Sequence, residues 1–375
     1  MAGSSFGNIF RITTWGETHG RAVGLVVDGC PSGLSLCEED IQVYLDRRKP
    51  GQSDFTTRRK EEDRVEICSG VFEGKTTGTP ISLMVHNKDQ RSRDYSQIAG
   101  IYRPGHADYS YDAKYGFRDY RGGGRSSGRE TIARVAAGAI AAKALAMMGV
   151  EVFAYTKAIG PVRVDDSNMD PAVRDRNTLY MPDAMAAEKA AAFLREQMEK
   201  GDSAGGIVEC RITGLPAGIG QPVFDKLSSD LGKAILSIGA VKGFEIGDGF
   251  GAAASSGSLN NDSFVADHGR IKKASNHAGG ILGGISDGDP VIFRAAFKPT
   301  PSISMPQSTV TKTVEETEIQ IKGRHDPIIV PRAVVVVETM AACAVFDQMM
   351  LNMASRMDRI ADFYSRYSQV NSNDI

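Results

Sequence analysis

The sequence is short of the features that would tie it to a membrane, a metal or an oxidising compartment. Its five cysteines, Cys30, Cys37, Cys68, Cys210 and Cys343, include no C-x-x-C pair and are odd in number. Neither a disulfide framework nor a structural metal site is expected, and a reducing compartment is. The opening MAGSSFGNIF has no basic segment leading into a long apolar run, and the longest apolar helical stretch carries two charges. Neither export nor membrane spanning is therefore expected, and the cytoplasm is the predicted location. Charge of one sign is also lacking: 44 Lys and Arg against 46 Asp and Glu leave a net charge of −2, which supplies no global field to gather nucleic acid or an anionic membrane. There is no G-x-x-x-x-G-K-[ST] loop for a nucleotide phosphate, and no Pro/Ser-rich linker divides the chain.

What is present is a globular composition, 41% hydrophobic and 24% charged over 375 residues, enough to bury a large core. A single domain over 1–375 is expected, with a polar tail from about 357. The chemistry concentrates at 118–148, RDYRGGGRSSGRETIARVAAGAIAAKALAMM. Gly122, Gly123 and Gly124 let the backbone reach positive φ and approach a ligand. Ser127 and Glu130 fit a capping box that opens a helix. From 132 to 148 only Arg134 and Lys143 are charged, which predicts a buried helix, and Gly149 is a fitting stop. Arg121, Arg125, Arg129 and Arg134 crowd the positive end of that helix. Such crowding suits a bound phosphate or carboxylate; a solvated basic turn would look the same in sequence.

Strands are predicted at 7–13, 24–27, 65–71 and 80–85, and a helix with acidic residues at its start at 38–48. His19 sits in the glycine-bounded turn GETHG, where a loop-fastening role and a chemical one are both open. The charge run 47–64 reads either as a solvated face or as a second basic cluster beside the first. In RPGHAD, His106 lies near Arg103 in a polar loop, a setting in which a histidine next to a bound anion can act as a general acid. Further on, 149–164 reads as strand and turn and 183–200 as an amphipathic helix.

Three echoes then follow in order. The strand and G-x-P-x-G turn at 206–219 echo 24–34, GDPVIF at 288–293 echoes GTPISL at 78–83, and an apolar helix at 332–353 stands where the first half has 132–148. They indicate two related halves, about 1–150 and 200–355. Two helices this apolar need cover on several sides, so helices between antiparallel sheets are predicted. The second half adds its own glycine-rich and cationic loops: SNHAGGILGG at 275–284, KPTPS at 298–302 and GRHDP at 323–327.

Taken together, GETHG (16–20), RPGHAD (103–108), YRGGGRSSGRET (120–131), SNHAGGILGGIS (275–286), KPTPSI (298–303) and RHDP with the later VET (324–339) resemble the chorismate synthase family over nearly the whole chain. The resemblance implies an α+β fold, a β-α-β sandwich with core helices between antiparallel sheets and two pseudo-symmetric halves, usually assembled as a homotetramer. It implies a carbon–oxygen lyase that removes phosphate and a ring proton from 5-enolpyruvylshikimate 3-phosphate by trans-1,4-elimination, giving chorismate. The reaction needs reduced FMN without net redox change. NADPH would serve as an indirect reductant, and because no extra domain or long insertion is evident, an external flavin reductase is expected.

By motif match, His19 would protonate or stabilise the departing phosphate, His106 would protonate the reduced flavin or balance its charge, and Asp326 would act near flavin N5. Arg48, Arg103, Ser127, Arg129 and Arg332 should hold substrate. Arg48, Arg125, Ser126, Ser127, Gly239, Ala240, Gly283, Lys298, Pro299, Thr300, Pro301, Ser302 and Arg324 should hold the flavin. The arginines suit the substrate's phosphate and two carboxylates and the flavin phosphate. Three departures stand out: Thr18 where Ser is common, Pro301 where many members have Ser, and Asp54 where an arginine is expected, a contact left to Arg58 or Arg59. A flavin-independent lyase or transferase on a phosphorylated metabolite would keep the arginine-rich helix end and would need a metal or nucleotide. A single-stranded RNA binder would use RGGGR and nearby tyrosines, against the slightly negative overall charge.

Overall fold

The computed structural model describes residues 3–56, 61–88, 99–321 and 326–373. In chain order the first half holds β1 (Ser5–Phe6), β2 (Arg11–Gly16), β3 (Ala22–Asp28), α1 (Glu38–Arg48), β4 (Val65–Ile67), β5 (Val71–Phe72), β6 (Lys75–Thr76), β7 (Ile81–His86), α2 (Asp108–Tyr115) and α3 (Thr131–Met147). There follow β8 (Glu151–Ile159), β9 (Val162–Arg163), α4 (Pro171–Arg174), α5 (Ala184–Glu199), β10 (Gly206–Thr213), α6 (Leu227–Leu236), β11 (Val241–Ile246), α7 (Gly257–Asn260), β12 (Phe264–Asp267) and β13 (Arg270–Lys273). The chain ends with β14 (Ile281–Leu282), β15 (Ile285–Ser286), β16 (Val291–Phe297), β17 (Gln307–Val310), β18 (Glu316–Ile319), α8 (Val330–Asn352) and α9 (Met357–Asn373).

Two five-stranded antiparallel sheets carry the halves. Read from one edge, their orders are β4-β7-β3-β2-β1 and β11-β16-β10-β8-β9. The first four strands of each order correspond: α1 and α6 precede the edge strands β4 and β11, and α3 and α8 follow β7 and β16, whereas the fifth strands differ, β1 preceding β2 and β9 following β8. Even the turn chemistry repeats. Thr76 Oγ1 donates to the Pro31 carbonyl at 2.6 Å and Ser286 Oγ to the Pro216 carbonyl at 2.6 Å, so a hydroxyl on a short hairpin pins the G-x-P turn in each half. The echoes in the sequence are therefore two pseudo-symmetric halves of one fold.

The helices fill the space between the sheets. Alternation puts Ile81, Leu83 and Val85 of β7 and Val291, Phe293, Ala295 and Phe297 of β16 inward. On those faces, α3 packs against the first sheet, α8 against the second, and the two helices against each other. The helix contact is close because of Gly138, whose place an alanine could not take: a Cβ there would lie 2.3 Å from the Thr339 carbonyl oxygen of α8. α8 has the length and composition of a membrane span, yet 83% of its most apolar window is buried inside the protein. Glu338 and Asp347 are buried on the same helix, so it is a core element.

Some local expectations are corrected. The strand expected at 7–13 begins at Arg11, because Asp347 captures the N–H groups of Asn8 at 2.9 Å, Ile9 at 2.7 Å and Phe10 at 2.9 Å. The strand expected at 65–71 divides into β4 and the start of β5. Ser127 does open the helical segment, but its side chain accepts from the Arg129 N–H and caps one 3₁₀ turn, Gly128–Glu130, before α3. Glu130 does not reach back, since Arg134 one turn on holds its carboxylate at 2.9 Å. The polar tail forms the helix α9.

Candidate active site

Tight turns in the first half bring two histidines to one place. The β2–β3 turn carries His19, which is buried, and Thr18 Oγ1 of the same turn donates to the Gly124 carbonyl at 3.2 Å. Gly122, Gly123 and Gly124 take φ of +66°, +85° and +55°, a region that disfavours side chains. A Cβ on Gly122 would lie 2.9 Å from His19 Cδ2, and one on Gly123 2.9 Å from His106 Cε1. The glycines are thus needed for conformation and for room, and the turn seats one histidine on each side of itself.

His106 is held from behind. Its Nδ1 lies 3.0 Å from Asp108 Oδ1 and 3.0 Å from an Arg103 nitrogen, while Asp108 takes both the Nε and an Nη of Arg103 at 2.7 Å. Burial pushes the Asp108 carboxyl up, but the bonds from Arg103 and His106 outweigh it and hold the group well below the usual carboxylate range. A carboxyl depressed on folding adds stability that is present above its ordinary value of about 3.9 and is lost as pH falls through the folded one. Asp108→Asn should therefore lower the urea midpoint at pH 7, with the gap to wild type narrowing as pH drops below about 4. An equal gap at both pH values would contradict this.

The second component is an arginine cluster. Asp63, with no exposed side-chain surface, bonds Arg48 at 2.7 Å and Arg129 at 3.0 Å. Arg332 donates to the Arg48 carbonyl at 2.9 Å and pairs with Asp326 at 2.5 Å. Burial pushes the Arg48 guanidinium down to about 10, and the neighbouring Arg332 and Arg129 charges add to that against the opposing pull of Asp63. Glu61 lies 3.6 Å from Arg129, so Arg48, Arg129 and Arg332 converge in a buried network in which Asp63, Glu61 and Asp326 hold them, and an entering anion would meet guanidinium groups already fixed in place. Arg129 also bonds Asn87, whose amide fastens the His19 turn, so the histidine and arginine groups form one site.

The second half closes a third side. Lys298 bonds the Gly105 carbonyl beside His106, and its backbone N–H donates to the Ala240 carbonyl at 3.0 Å. Burial and the nearby Lys242 push the Lys298 ammonium down. Among the described residues Thr300 Oγ1 is buried without a hydrogen-bond partner, and a Cβ added to Gly239, next to Ala240, would meet open space. Two cations, an unpaired buried hydroxyl and open backbone fit a phosphate-bearing group such as a flavin mononucleotide.

His19, His106, Arg48, Arg103, Arg129, Arg332, Asp326 and Lys298 are thus joined by direct contacts or one intervening residue. Ser126 donates to the Gly123 carbonyl at 2.7 Å, and Ser127 caps the adjoining turn. Pro301 packs against Gly105, and Thr300 is tied through its carbonyl to Ser203 at 2.8 Å. Pro299 packs near Gly205, and Ser302 is half-buried in the same loop.

Arg125 runs instead along β2, donating to Thr14 at 2.7 Å and to the Gly16 carbonyl at 3.2 Å. Gly283 turns the β14–β15 hairpin, whose next residue, Gly284, binds the start of α6 at 2.8 Å. Of the four arginines expected around the helix start, Arg121 is taken by Asp119 and Arg134 by Glu130. Asp54 is exposed, while Arg58, Arg59 and Arg324 lie outside the described residues. Sequence reasoning missed Asp63 and Asn87. Asp63 lay within the charge run, and the only hint was the pairing of carboxylates at 61 and 63 with arginines at both ends of the run.

A separate cavity of about 480 Å³ is lined by residues that include Tyr44, Arg47, Phe153, Arg174 and Glu338. Glu338 accepts from Arg47 at 2.6 Å, Arg174 at 3.1 Å and the Ala154 N–H at 3.1 Å. Its acid is therefore met within the protein, and the groups able to do chemistry lie at the histidine–arginine site.

Comparison with known proteins agrees with that geometry. A profile of the chorismate synthase family matches residues 10–350. The chorismate synthase of Agathobacter rectalis is 64% identical over 366 residues, covering 98% of this chain and 100% of its own, and that of Lachnospira eligens is 64% identical over the same lengths. A crystal structure of chorismate synthase superposes with a TM-score of 0.74 at 30% identity, covering 96% of this chain and 98% of the other. With sequence, fold and full-length coverage in agreement, this chain belongs to the chorismate synthase family, the shikimate-pathway lyases that eliminate phosphate from 5-enolpyruvylshikimate 3-phosphate to give chorismate.

Proposed function

We propose that the elimination takes place between His19 and the Arg48–Arg129–Arg332 cluster, with reduced FMN held against His106. The observation that carries this reading is the convergence of three arginines: Asp63 joins Arg48 at 2.7 Å to Arg129 at 3.0 Å, and Arg332 bonds the Arg48 carbonyl at 2.9 Å. Three convergent guanidinium groups fit a substrate with a phosphate and two carboxylates, and buried bidentate contacts would fix its orientation. Arg103, held by Asp108, adds a fourth cation on the His106 side.

His19, at the edge of the cluster, supplies the proton or positive charge that stabilises the departing phosphate. His106 turns Nδ1 to Asp108 and Arg103, which leaves Nε2 on the Gly123 side for proton exchange. Asp326, paired with Arg332, is the carboxylate proposed to act near flavin N5. Lys298, Thr300, Ser302, Gly239 and Ala240, with Arg125, Ser126, Ser127, Pro299, Pro301, Gly283 and Arg324, are the proposed flavin contacts. When bound, the reduced flavin supplies an electron-rich ring that assists loss of phosphate and the ring proton without net redox change.

Family membership supports a homotetramer in the cytoplasm, and the reduced flavin is proposed to come from an external reductase. Phe264 at 64% and Ile271 at 82% exposure on the β12–β13 hairpin give apolar surface for contact between copies. The shared core that unites both sheets supports one domain over 1–375.

His106→Ala should lower turnover by about 10²-fold or more, the scale of a lost proton donor. FMN affinity, followed by fluorescence quenching, should change little. Unchanged turnover would remove His106 from the mechanism.

A further inference from the structure

Asn87 directly follows β7. Its side-chain amide donates to the Gly20 carbonyl at 2.8 Å and to the Glu17 carbonyl at 3.0 Å, the two carbonyls that bracket Thr18 and His19. Its Oδ1 accepts from Arg129 Nε, and its backbone N–H donates to the Arg21 carbonyl at 3.1 Å. Peptide carbonyls only accept and a guanidinium only donates, so the amide can point one way alone.

Only asparagine meets these demands at this reach. Aspartate would set a carboxylate against two carbonyls, serine is too short, and glutamine is longer by a methylene. We infer that Asn87 is a positioning residue that locks the His19 turn to Arg129, so that the group at the departing phosphate and a substrate-binding cation are placed as a unit. The inference rests on the roles proposed above for His19 and Arg129. Through Asp63 the link extends to Arg48, and from the Arg48 carbonyl to Arg332. One amide thereby ties the first sheet's β2–β3 turn to a chain of contacts ending on α8.

The two ends of the amide make separable predictions. Asn87→Asp keeps an acceptor for Arg129 but breaks both bonds to the turn, so kcat should fall at least tenfold while KM for 5-enolpyruvylshikimate 3-phosphate stays within about threefold. Asn87→Ala breaks both ends, so kcat should fall and KM rise. In ligand-free protein labelled with ¹⁵N-histidine, with His19 assigned from the His19→Ala spectrum, the His19 ring resonances should move in both variants and those of His106 stay in place. A residue that merely fastened the loop would lower the melting temperature without that selective shift or the split between kcat and KM.

Unmoved His19 resonances, or wild-type kcat in Asn87→Asp, would overturn the inference. If Asn87→Ala fails to fold, the aspartate variant decides alone. If the wild-type protein binds the substrate without turning it over, the assigned reaction fails while the resonance comparison still decides the link.

Discussion

Replacing Asp63 by alanine is expected to lower stability by about 3–5 kcal/mol, the cost of removing one partner from a buried charge pair. Here a single carboxylate with no exposed side-chain surface serves two guanidinium groups, themselves 2% and 8% exposed. Burial pushes the Asp63 carboxyl up, but the Arg48 and Arg129 charges outweigh it and hold the group below the usual range, so it is ionised throughout the working pH range. Alanine would also be strained, because Asp63 takes φ of +48°, a conformation aspartate and asparagine tolerate better. Asp63→Asn separates the two costs by keeping the backbone and removing the charge. Guanidinium denaturation should give a lower midpoint for both variants, with alanine the lower. Calorimetric titration with 5-enolpyruvylshikimate 3-phosphate should show at least tenfold weaker binding in both, since Arg48 and Arg129 lose their common anchor. Wild-type affinity in Asp63→Asn would mean that the arginines hold their places without it.

Gly123→Ala is expected to lower turnover by about 10²-fold, the scale of a misplacement of about 1 Å at a reacting group. The added methyl would stand 2.9 Å from His106 Cε1 and 3.0 Å from Ser126 Oγ, at a φ of +85°. Either the histidine moves off its Asp108 partner or the turn opens. The equivalent change at Gly122 presses on His19 instead, so comparing the two variants assigns each histidine its share. Anaerobic steady-state rates with circular-dichroism spectra as a folding control would check this, and a Gly123→Ala protein with native spectrum and native turnover would contradict the placement of His106.

The sequence was most legible where one physical pattern acts alone. The all-round apolarity of 132–148 predicted a core helix, and α3 is one. The expected helix at 38–48 coincides with α1, and that at 183–200 with α5 and its two capping residues. The repeated G-x-P turns proved to be equivalent positions in the two sheets. Legibility failed where charged groups choose among partners distant in sequence. Arg121, Arg125, Arg129 and Arg134 looked alike as a cluster at one helix end, but only Arg129 reaches the shared carboxylate, because Asp119, Thr14 and Glu130 engage the others. Asp63 lies in a charge run whose sequence fits either a solvated face or a basic cluster, since nothing local distinguishes a carboxylate that folding sets between two arginines 15 positions upstream and 66 downstream. Asn87 had no motif at all, because its partners come from a turn and a helix start 67 to 70 residues before it and 42 after it.

The most direct test is an anaerobic assay of the purified protein with chemically reduced FMN and 5-enolpyruvylshikimate 3-phosphate, following chorismate and phosphate together. The predicted result is equal release of the two, in large molar excess over flavin and absent when reduced flavin is omitted. Intact substrate in the presence of bound reduced flavin, or equal product without any flavin, would contradict the account.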